Sequence, residues 1–370
     1  MDSGLSRSLV LDAQTMEDAA AVTAFAPENT EMVRRILIIQ TAFIGDAILV
    51  EPLIRAAGDY FPQAAIDVLV IPAAAGLFSH HPRLDQVISY DKRGKERGLA
   101  GFLDLLARLR KRRYDLALVP HRSLRSALLA WLSRIPIRVG FDTSAGSFLL
   151  THRKMYLRPQ HEILRNVSLL DVFGCEVRFS RPQLFLQPEE RKKARELMPD
   201  AHKVIALAPG SVWATKRWPV ESFVRLQEKI LSDPQLGVVL IGGAEDSPLC
   251  RQIAGAGHER VVDLCGQLSL RESCAVLERC AALVTNDSAP THLGLAAGTR
   301  VLTIFGATVP EFGFYPYGEK NRSIEPPREL DCRPCGIHGG RSCPIKTFEC
   351  MRSITPEYVW RELMQVIAQD

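Results

Sequence analysis

Two successive sets of short, continuous apolar runs, each separated from the next by a segment of helical spacing, constrain this 370-residue chain more than any other feature. A run that is apolar along its whole length, rather than at alternate positions, is a strand covered on both faces. That is the condition of a parallel sheet with helices on either side. In the first half such runs stand at Arg35–Gln40, 66–71, 86–90, Leu116–Val119 and 137–140. Helical segments lie at 47–57, 99–113, 124–133 and 163–173, with Pro52 predicting an irregularity in the first of them. Ser180-Arg181-Pro182-Gln183 reads as a linker, because Pro182 interrupts any regular element. The alternation then resumes with runs at 204–208, 238–241, Val261–Asp263, 282–285 and 301–305. Its helices are expected at Val220–Leu231, 248–256, 270–280 and 290–297, with a last one at 356–368.

A chain of this length exceeds one ordinary hydrophobic core. The expected fold is therefore α/β, with two Rossmann-like domains facing each other across a cleft. The boundaries predicted are a mobile N-terminal extension over 1–32 with a short helix near 12–22, a first domain over 33–181 and a second over 182–352. The helix within 353–370 can dock on either domain, a return to the first included. Composition narrows the class further: 46% hydrophobic and 24% charged residues are those of a soluble globular protein, and a net charge of +4 argues against wholesale nucleic-acid binding. Nine cysteines, an odd number in a long chain, do not suit a secreted disulfide scaffold. No stretch reaches the roughly 18 apolar residues of a spanning helix, and residues 1–31 lack the basic start and apolar core of a signal peptide. The expected location is the cytoplasm, with any membrane contact peripheral.

In an open α/β sheet, ligands bind beyond the carboxyl ends of the strands. After 204–208 the chain reads Pro209-Gly210-Ser211-Val212-Trp213-Ala214-Thr215-Lys216-Arg217-Trp218-Pro219. Two adjacent cations suit an anionic ligand, Ser211 and Thr215 can donate to phosphate oxygens, and Gly210 lets backbone approach closely. The same loop also reads as a surface turn with solvated charges and packed tryptophans. After 282–285 comes Thr285-Asn286-Asp287-Ser288-Ala289-Pro290-Thr291-His292, where Ser288 and the free N–H groups of a helix start can hold phosphate. Asp287 repels phosphate, so it should face neutral sugar hydroxyls or cap the helix; His292 reads first as a packed helix residue. After the first strand, Gly45-Asp46 opens a helix. Asp46 is either a cap or a general base that takes a proton from an acceptor hydroxyl, and Gly45 permits close approach of a ligand. In Gly242-Gly243-Ala244-Glu245-Asp246 the glycines admit a nucleotide and Glu245 can accept from ribose hydroxyls, though a plain tight turn explains the glycines equally well.

Absences narrow the chemistry. The chain has no Walker loop, no Gly-x-Gly-x-x-Gly after a strand and no Asp-x-Asp pair. Lys216 and Arg217, rather than a carboxylate-held metal, would then neutralise a leaving diphosphate, and no cofactor is required. Cys332, Cys335, Cys343 and Cys350, with His338 between the pairs, admit a tetrahedral structural zinc site, reduced thiols or labile disulfides. Arg108, Arg110, Lys111, Arg112 and Arg113, followed by Arg122, Arg125, Arg134 and Arg138, concentrate cations in the first half. They form either a solvated helix face or a patch for anionic lipid head groups or a phosphorylated acceptor.

These loops in this order resemble glycosyltransferase family 9, the bacterial lipopolysaccharide heptosyltransferases. The resemblance is carried by residues 38–46, by the loop 209–219 and by Thr285-Asn286-Asp287-Ser288 with His292. The segments 332–335 and 343–344 look like the heptosyltransferase II branch. The resemblance implies a GT-B fold, an acceptor-binding first domain and a nucleotide-sugar-binding second domain. It further implies inverting transfer of heptose from ADP-heptose to a lipid-linked core oligosaccharide, or from another nucleotide sugar in a divergent member. A non-catalytic nucleotide-sugar-binding protein is the remaining alternative. Asp46 matches the family's catalytic base, Lys216 its diphosphate-binding lysine and Asp287 its donor-sugar aspartate. His161-Glu162 is similar to a family motif at the cleft and joins Arg122 on the acceptor side. Such an enzyme would work at the inner face of the inner membrane. Ala289 stands where the family usually has glycine, and the N-terminal extension has no family counterpart.

Overall fold

β1 (Arg35–Gln40) shows how the apolar runs become strands: every residue after the first is buried, so both faces of its sheet are covered. The computed structural model describes residues 32–176 and 179–368, so the helix expected near 12–22 lies outside the described residues. β1 is joined by β2 (Ala65–Val70), β3 (Gln86–Ser89), β4 (Leu116–Val119), β5 (Ile137–Phe141) and β6 (His152–Lys154) in the order β3-β2-β1-β4-β5-β6. The second sheet holds β7 (Lys203–Ala208), β8 (Leu236–Leu240), β9 (Val261–Asp263), β10 (Ala282–Asn286), β11 (Arg300–Ile304) and β12 (Arg322–Ile324), in the order β12-β11-β10-β7-β8-β9. All pairings are parallel. Counted from its own first strand, each sheet has the doubly wound Rossmann order, which reverses between β1 and β4 and again between β7 and β10. The two-domain α/β expectation holds.

Local chemistry accounts for the departures. The helix expected over 47–57 is two helices, Ile44–Leu49 and Glu51–Tyr60, broken at Val50. Pro52 has no N–H to continue the first helix and is tolerated only in the first turn of a new one. The segment 163–173 begins as the α-helix Glu162–Val167 and tightens to a 3₁₀ helix over Ser168–Phe173. Helix Pro188–Leu197 and the short edge strands β6 and β12 have no counterpart in the sequence reading. That helix buries one residue, Ala194, so its sequence carries almost no apolar stripe.

Helices Glu51–Tyr60 and Glu162–Val167 cover one face of the first sheet, and Gly98–Arg112 with Leu124–Leu132 covers the other. The last helix, Pro356–Ile367, does not return to the first domain. Val359, Leu363 and Val366 pack with Phe223, Leu226 and Ile230 on the second sheet, covering apolar surface that would otherwise face water. A continuous apolar core runs from the first sheet through helix Ile44–Leu49 into helix Ala289–Ala297, so the two domains meet along a packed seam beneath the cleft. Among the described residues no helix is long and apolar enough to cross a membrane.

Candidate functional site

The loops after β1, β7 and β10 converge on one cavity of about 260 Å³ between the domains. Asp46 and Phe43 line it from the first domain; Lys216, Asp287, Ser288 and His292 line it from the second. The second domain's strand-order reversal lies between β7 and β10, which places Lys216 and Asp287 on either side of that crevice.

Asp46 is the third residue of helix Ile44–Leu49, not its cap. Its Oδ2 accepts the Phe43 N–H at 3.2 Å, satisfying one of the free donors of the helix start. Part of the side chain still opens to the cavity. Burial raises its carboxyl above the ordinary value, opposed by the Phe43 N–H and by the charges of Lys216 and Arg122. Accepting the cap residue's N–H is therefore compatible with a base role for the same carboxylate.

Facing it, Lys216 Nζ donates to Asp287 Oδ2 at 2.6 Å, and the Thr308 hydroxyl donates to the same oxygen at 2.6 Å. Both partners are largely buried, so the pair is screened little by solvent. Asn286 holds the two loops in register: its Oδ1 accepts the Trp218 N–H at 3.0 Å, and its Nδ2 donates to the Pro209 carbonyl at 2.7 Å. Ser211 lines the cavity, its hydroxyl accepting from the Trp213 N–H at 3.3 Å. Ser288 begins helix Ala289–Ala297, and its hydroxyl donates weakly to the Gly210 and Asn286 carbonyls, both at 3.3 Å.

His292 is buried, and its Nδ1 has no hydrogen-bond partner. Burial holds the imidazole down to about 4, against the pull of Asp287. Gly45 owes its identity to this ring: a Cβ there would stand 2.8 Å from His292 Cδ2. The expected close approach at Gly45 is thus made by a protein side chain. Ala289, where the family pattern has glycine, also lines the cavity.

Several expected residues point elsewhere. The Thr215 hydroxyl accepts the Gly340 N–H at 2.7 Å, and the Thr215 N–H donates to the Gly340 carbonyl at 3.1 Å. Thr215 therefore fastens the segment carrying Ile337 and His338, which forms one wall of the cavity. Arg217 donates to the Ser211 carbonyl at 2.7 Å and borders a separate hollow. Glu245 is exposed and outside the cavity. Gly210 and Gly242 make room for Asp246, whose Oδ2 accepts the Gly243 N–H at 3.1 Å.

Of the residues expected to bind an acceptor, Arg122 stacks over Tyr156, with its guanidinium carbon 4.0 Å from the ring centroid. His161 is a buried cap whose Nδ1 accepts from Ile163 N–H, which leaves Nε2–H to donate to the Tyr315 carbonyl of the second domain at 2.8 Å. Burial holds it down to about 3. Glu162 is paired with Arg165 at 2.7 Å, and Arg165 reaches the Phe312 carbonyl at 2.7 Å. His161 and Glu162 therefore brace the seam rather than line the cavity.

The four clustered thiols do not assemble a tetrahedral centre. All nine cysteines are free, and among the described residues the one group of three or more His/Cys/Asp/Glu with ligand atoms within 4.8 Å of one another is Cys250, Asp263 and Cys265. Cys343 is drawn to backbone N–H groups of its own loop, Phe348 foremost, and Cys350 is buried in the second core. Sequence reasoning quoted Asn286 without giving it a role and passed over Thr308, Lys92 and His121. Lys92 Nζ donates to the Thr41 carbonyl at 2.5 Å, and His121 Nδ1 lies 3.0 Å from the Thr41 hydroxyl at the reversal point of the first sheet. Their positions after β3 and β4, at the carboxyl ends of strands, are the signal that would have found the last two.

Comparison with known proteins bears on the family and the fold. The family model described as glycosyltransferase family 9 (heptosyltransferase) matches residues 102–336. The lipopolysaccharide heptosyltransferase 2 of Salmonella typhimurium is 26% identical over 354 residues, covering 91% of this chain and 99% of that protein. A family 9 glycosyl transferase structure from Veillonella parvula superposes with a TM-score of 0.77 at 21% identity, covering 91% of this chain and 98% of the other. The ADP-heptose lipopolysaccharide heptosyltransferase II structure from E. coli gives a TM-score of 0.72 at 24% identity, covering 90% and 99%.

Proposed function

Because the chain belongs to glycosyltransferase family 9, we propose that it moves a heptose from ADP-heptose to the inner core of lipopolysaccharide, in a single displacement that inverts the anomeric centre. One observation carries the reading: Asp46 and the Lys216–Asp287 pair share one cavity, a carboxylate from one domain facing a cation from the other. In this mechanism Asp46 takes the proton of an acceptor hydroxyl as its oxygen attacks the anomeric carbon. The bond from that carbon to the diphosphate oxygen breaks on the opposite side, and ADP departs with the electron pair. A carboxyl raised by burial is a stronger base than an exposed one, which suits the step.

Lys216 gives up Asp287 for the diphosphate as charge builds on it, leaving Asp287 to accept from heptose hydroxyls. Ser211, Ser288 and the start of helix Ala289–Ala297 supply further donors to phosphate. The first domain holds a lipid-linked core acceptor and the second the donor. The enzyme works at the cytoplasmic face of the inner membrane, touching the bilayer at its surface.

The test is transfer from ADP-heptose to a panel of truncated core lipids, read by mass spectrometry. Asp46→Asn should lower kcat by about 10²–10⁴-fold while calorimetry shows donor affinity kept. Near-normal turnover in that variant would put the base elsewhere. Donor binding with no turnover on any acceptor would reduce the protein to a nucleotide-sugar binder.

A further inference from the structure

Large apolar side chains exposed to solvent are distributed unevenly between the domains. Of the twelve among the described residues, nine lie between Met32 and Leu157; in the second domain, Val212 and Ile337 already line the cavity and only Ile345 remains. Within the first domain the feature concentrates on the two helices covering one face of its sheet. Helix Leu124–Leu132 buries Ala127, Leu129 and Ala130 against β4 and its neighbours. Its opposite side stays apolar: Leu124 and Trp131 are each 47% exposed, and Leu128 between them is half-buried. Positions 124, 128 and 131 share one helix face, so this is an outward stripe rather than scattered residues. Phe148, 69% exposed, sits on the turn Ser147–Leu149 packed against this helix. On the adjacent helix Gly98–Arg112, Leu99 and Leu103 are exposed one turn apart.

Along helix Leu124–Leu132 and the turns flanking it the charge has one sign. Between Asp115 and Asp142 the sequence has Arg122, Arg125, Arg134 and Arg138 and no acidic residue. Arg110, Arg134 and Arg138 surround a shallow hollow with Trp131 at its rim. Arg110 reaches the Leu132 carbonyl at 2.9 Å and Arg138 the Leu149 carbonyl at 2.8 Å, and none of the three pairs with a carboxylate among the described residues. Of the acids in and beside helix Gly98–Arg112, Glu96 and Asp104 are engaged by Arg108, and Asp115 accepts the Arg34 and Arg35 N–H groups. A tryptophan-bearing apolar stripe flanked by unneutralised arginines matches the interface of an anionic bilayer, where aromatic rings and aliphatic chains enter the headgroup boundary and guanidinium groups meet phosphates.

We infer that the outer face of helices Gly98–Arg112 and Leu124–Leu132 is the surface by which this protein lies on an anionic phospholipid bilayer. Trp131, Leu124 and Phe148 enter the interface, and Arg110, Arg134 and Arg138 stand at phosphate level. The inference rests on the proposed reading only in that a lipid-borne acceptor gives such a surface its use. Helix Leu124–Leu132 begins right after Arg122 at the acceptor side, so docking on this face presents the first domain to a substrate anchored in the same membrane.

The experiment is co-sedimentation of the full chain with vesicles of phosphatidylethanolamine and phosphatidylglycerol, against phosphatidylcholine alone. Binding to the anionic vesicles that weakens with salt is expected. Arg125→Glu and Arg134→Glu should each lower partitioning about five-fold or more, from roughly 1 kcal/mol per cation near the surface. Trp131→Ser with Phe148→Ser should abolish it, with the thermal midpoint and the oligomeric state unchanged. Equal partitioning of the double serine variant and the native protein overturns the inference, as does no binding to anionic vesicles at low salt. Loss of a dimer on Trp131→Ser also overturns it, by showing that a second copy covers the face. Vesicle binding needs neither donor nor acceptor, so it stands or falls separately from heptose transfer.

Discussion

Replacing Gly45 with alanine isolates the contact that sets the width of the cavity. The new methyl carbon would lie 2.8 Å from His292 Cδ2 and 3.8 Å from Ala289 Cα. Carbon atoms settle about 3.5–4.0 Å apart, and the ring it meets is buried and lies against helix Ile44–Leu49, so the two helices must part by roughly 1 Å. Over-packing of this kind costs about 1–3 kcal/mol, and alanine's better helix propensity returns up to about 1 kcal/mol. The net loss of stability is therefore modest, on the order of 1 kcal/mol. Catalysis should suffer more. Asp46 is the next residue on the displaced helix, and a shift of about 1 Å in a reacting group can cost about 10²-fold. Initial rates at saturating donor should show kcat reduced to about that extent, with the thermal midpoint lowered by a few degrees at most. Gly45→Ala combined with His292→Ala should recover part of the rate. A Gly45→Ala enzyme with kcat within about two-fold of native would refute the argument that this contact spaces Asp46, the proposed base, from the second domain's wall of the cavity.

Two further outcomes follow from the charges. Arg122 lowers the Asp46 carboxyl against the larger effect of burial, so Arg122→Ala should move the acid limb of kcat/KM to higher pH; a limb that stays or moves down refutes the coupling. His161 and His292, held by burial to about 3 and about 4, are neutral in the folded protein at pH 7. Below about 6.5 the unfolded chain binds protons that these folded histidines refuse, so each removes stability as pH falls toward its folded value, on the order of 1.4 kcal/mol per pH unit. Asp46 and Glu162, raised by burial, act in the opposite sense in the lower part of that range. The difference is decisive: His161→Asn should flatten the urea midpoint between about pH 6.5 and 4, and a profile parallel to the native one would refute it.

The sheet was legible because parallel strands buried on both faces leave unbroken apolar runs, as at Arg35–Gln40 and Leu116–Val119. β6, His-Arg-Lys, has no apolar residue and no buried one, so it leaves no such run. The loops bearing Asp46, Lys216 and Asp287 were legible because each follows a central strand at the reversal point of its sheet, where ligands bind; that the two reversal points face one cavity is set by how the domains pack. What individual side chains do within those loops was not. Thr215 looks like a phosphate donor until the segment around Gly340, 125 positions away, folds back onto it. Gly210 and Gly45 look like ligand contacts, yet the space they leave is taken by Asp246 and His292. Such identities are set by long-range packing, which no local pattern records.

The embrace of Lys216 by Asp287 has a consequence for traffic through the cavity. A lysine already held at 2.6 Å by a carboxylate offers little to a stray phosphate or a lone nucleotide tail, because arrival means exchanging one anion for another rather than answering a vacancy. A guest that brings hydroxyls for the jilted carboxylate gains on both sides of the swap. On the proposed roles, one that brings only phosphates, as spent ADP does, must compete with Asp287 for the same ammonium group, and an aspartate that receives the full donor would also evict its remnant.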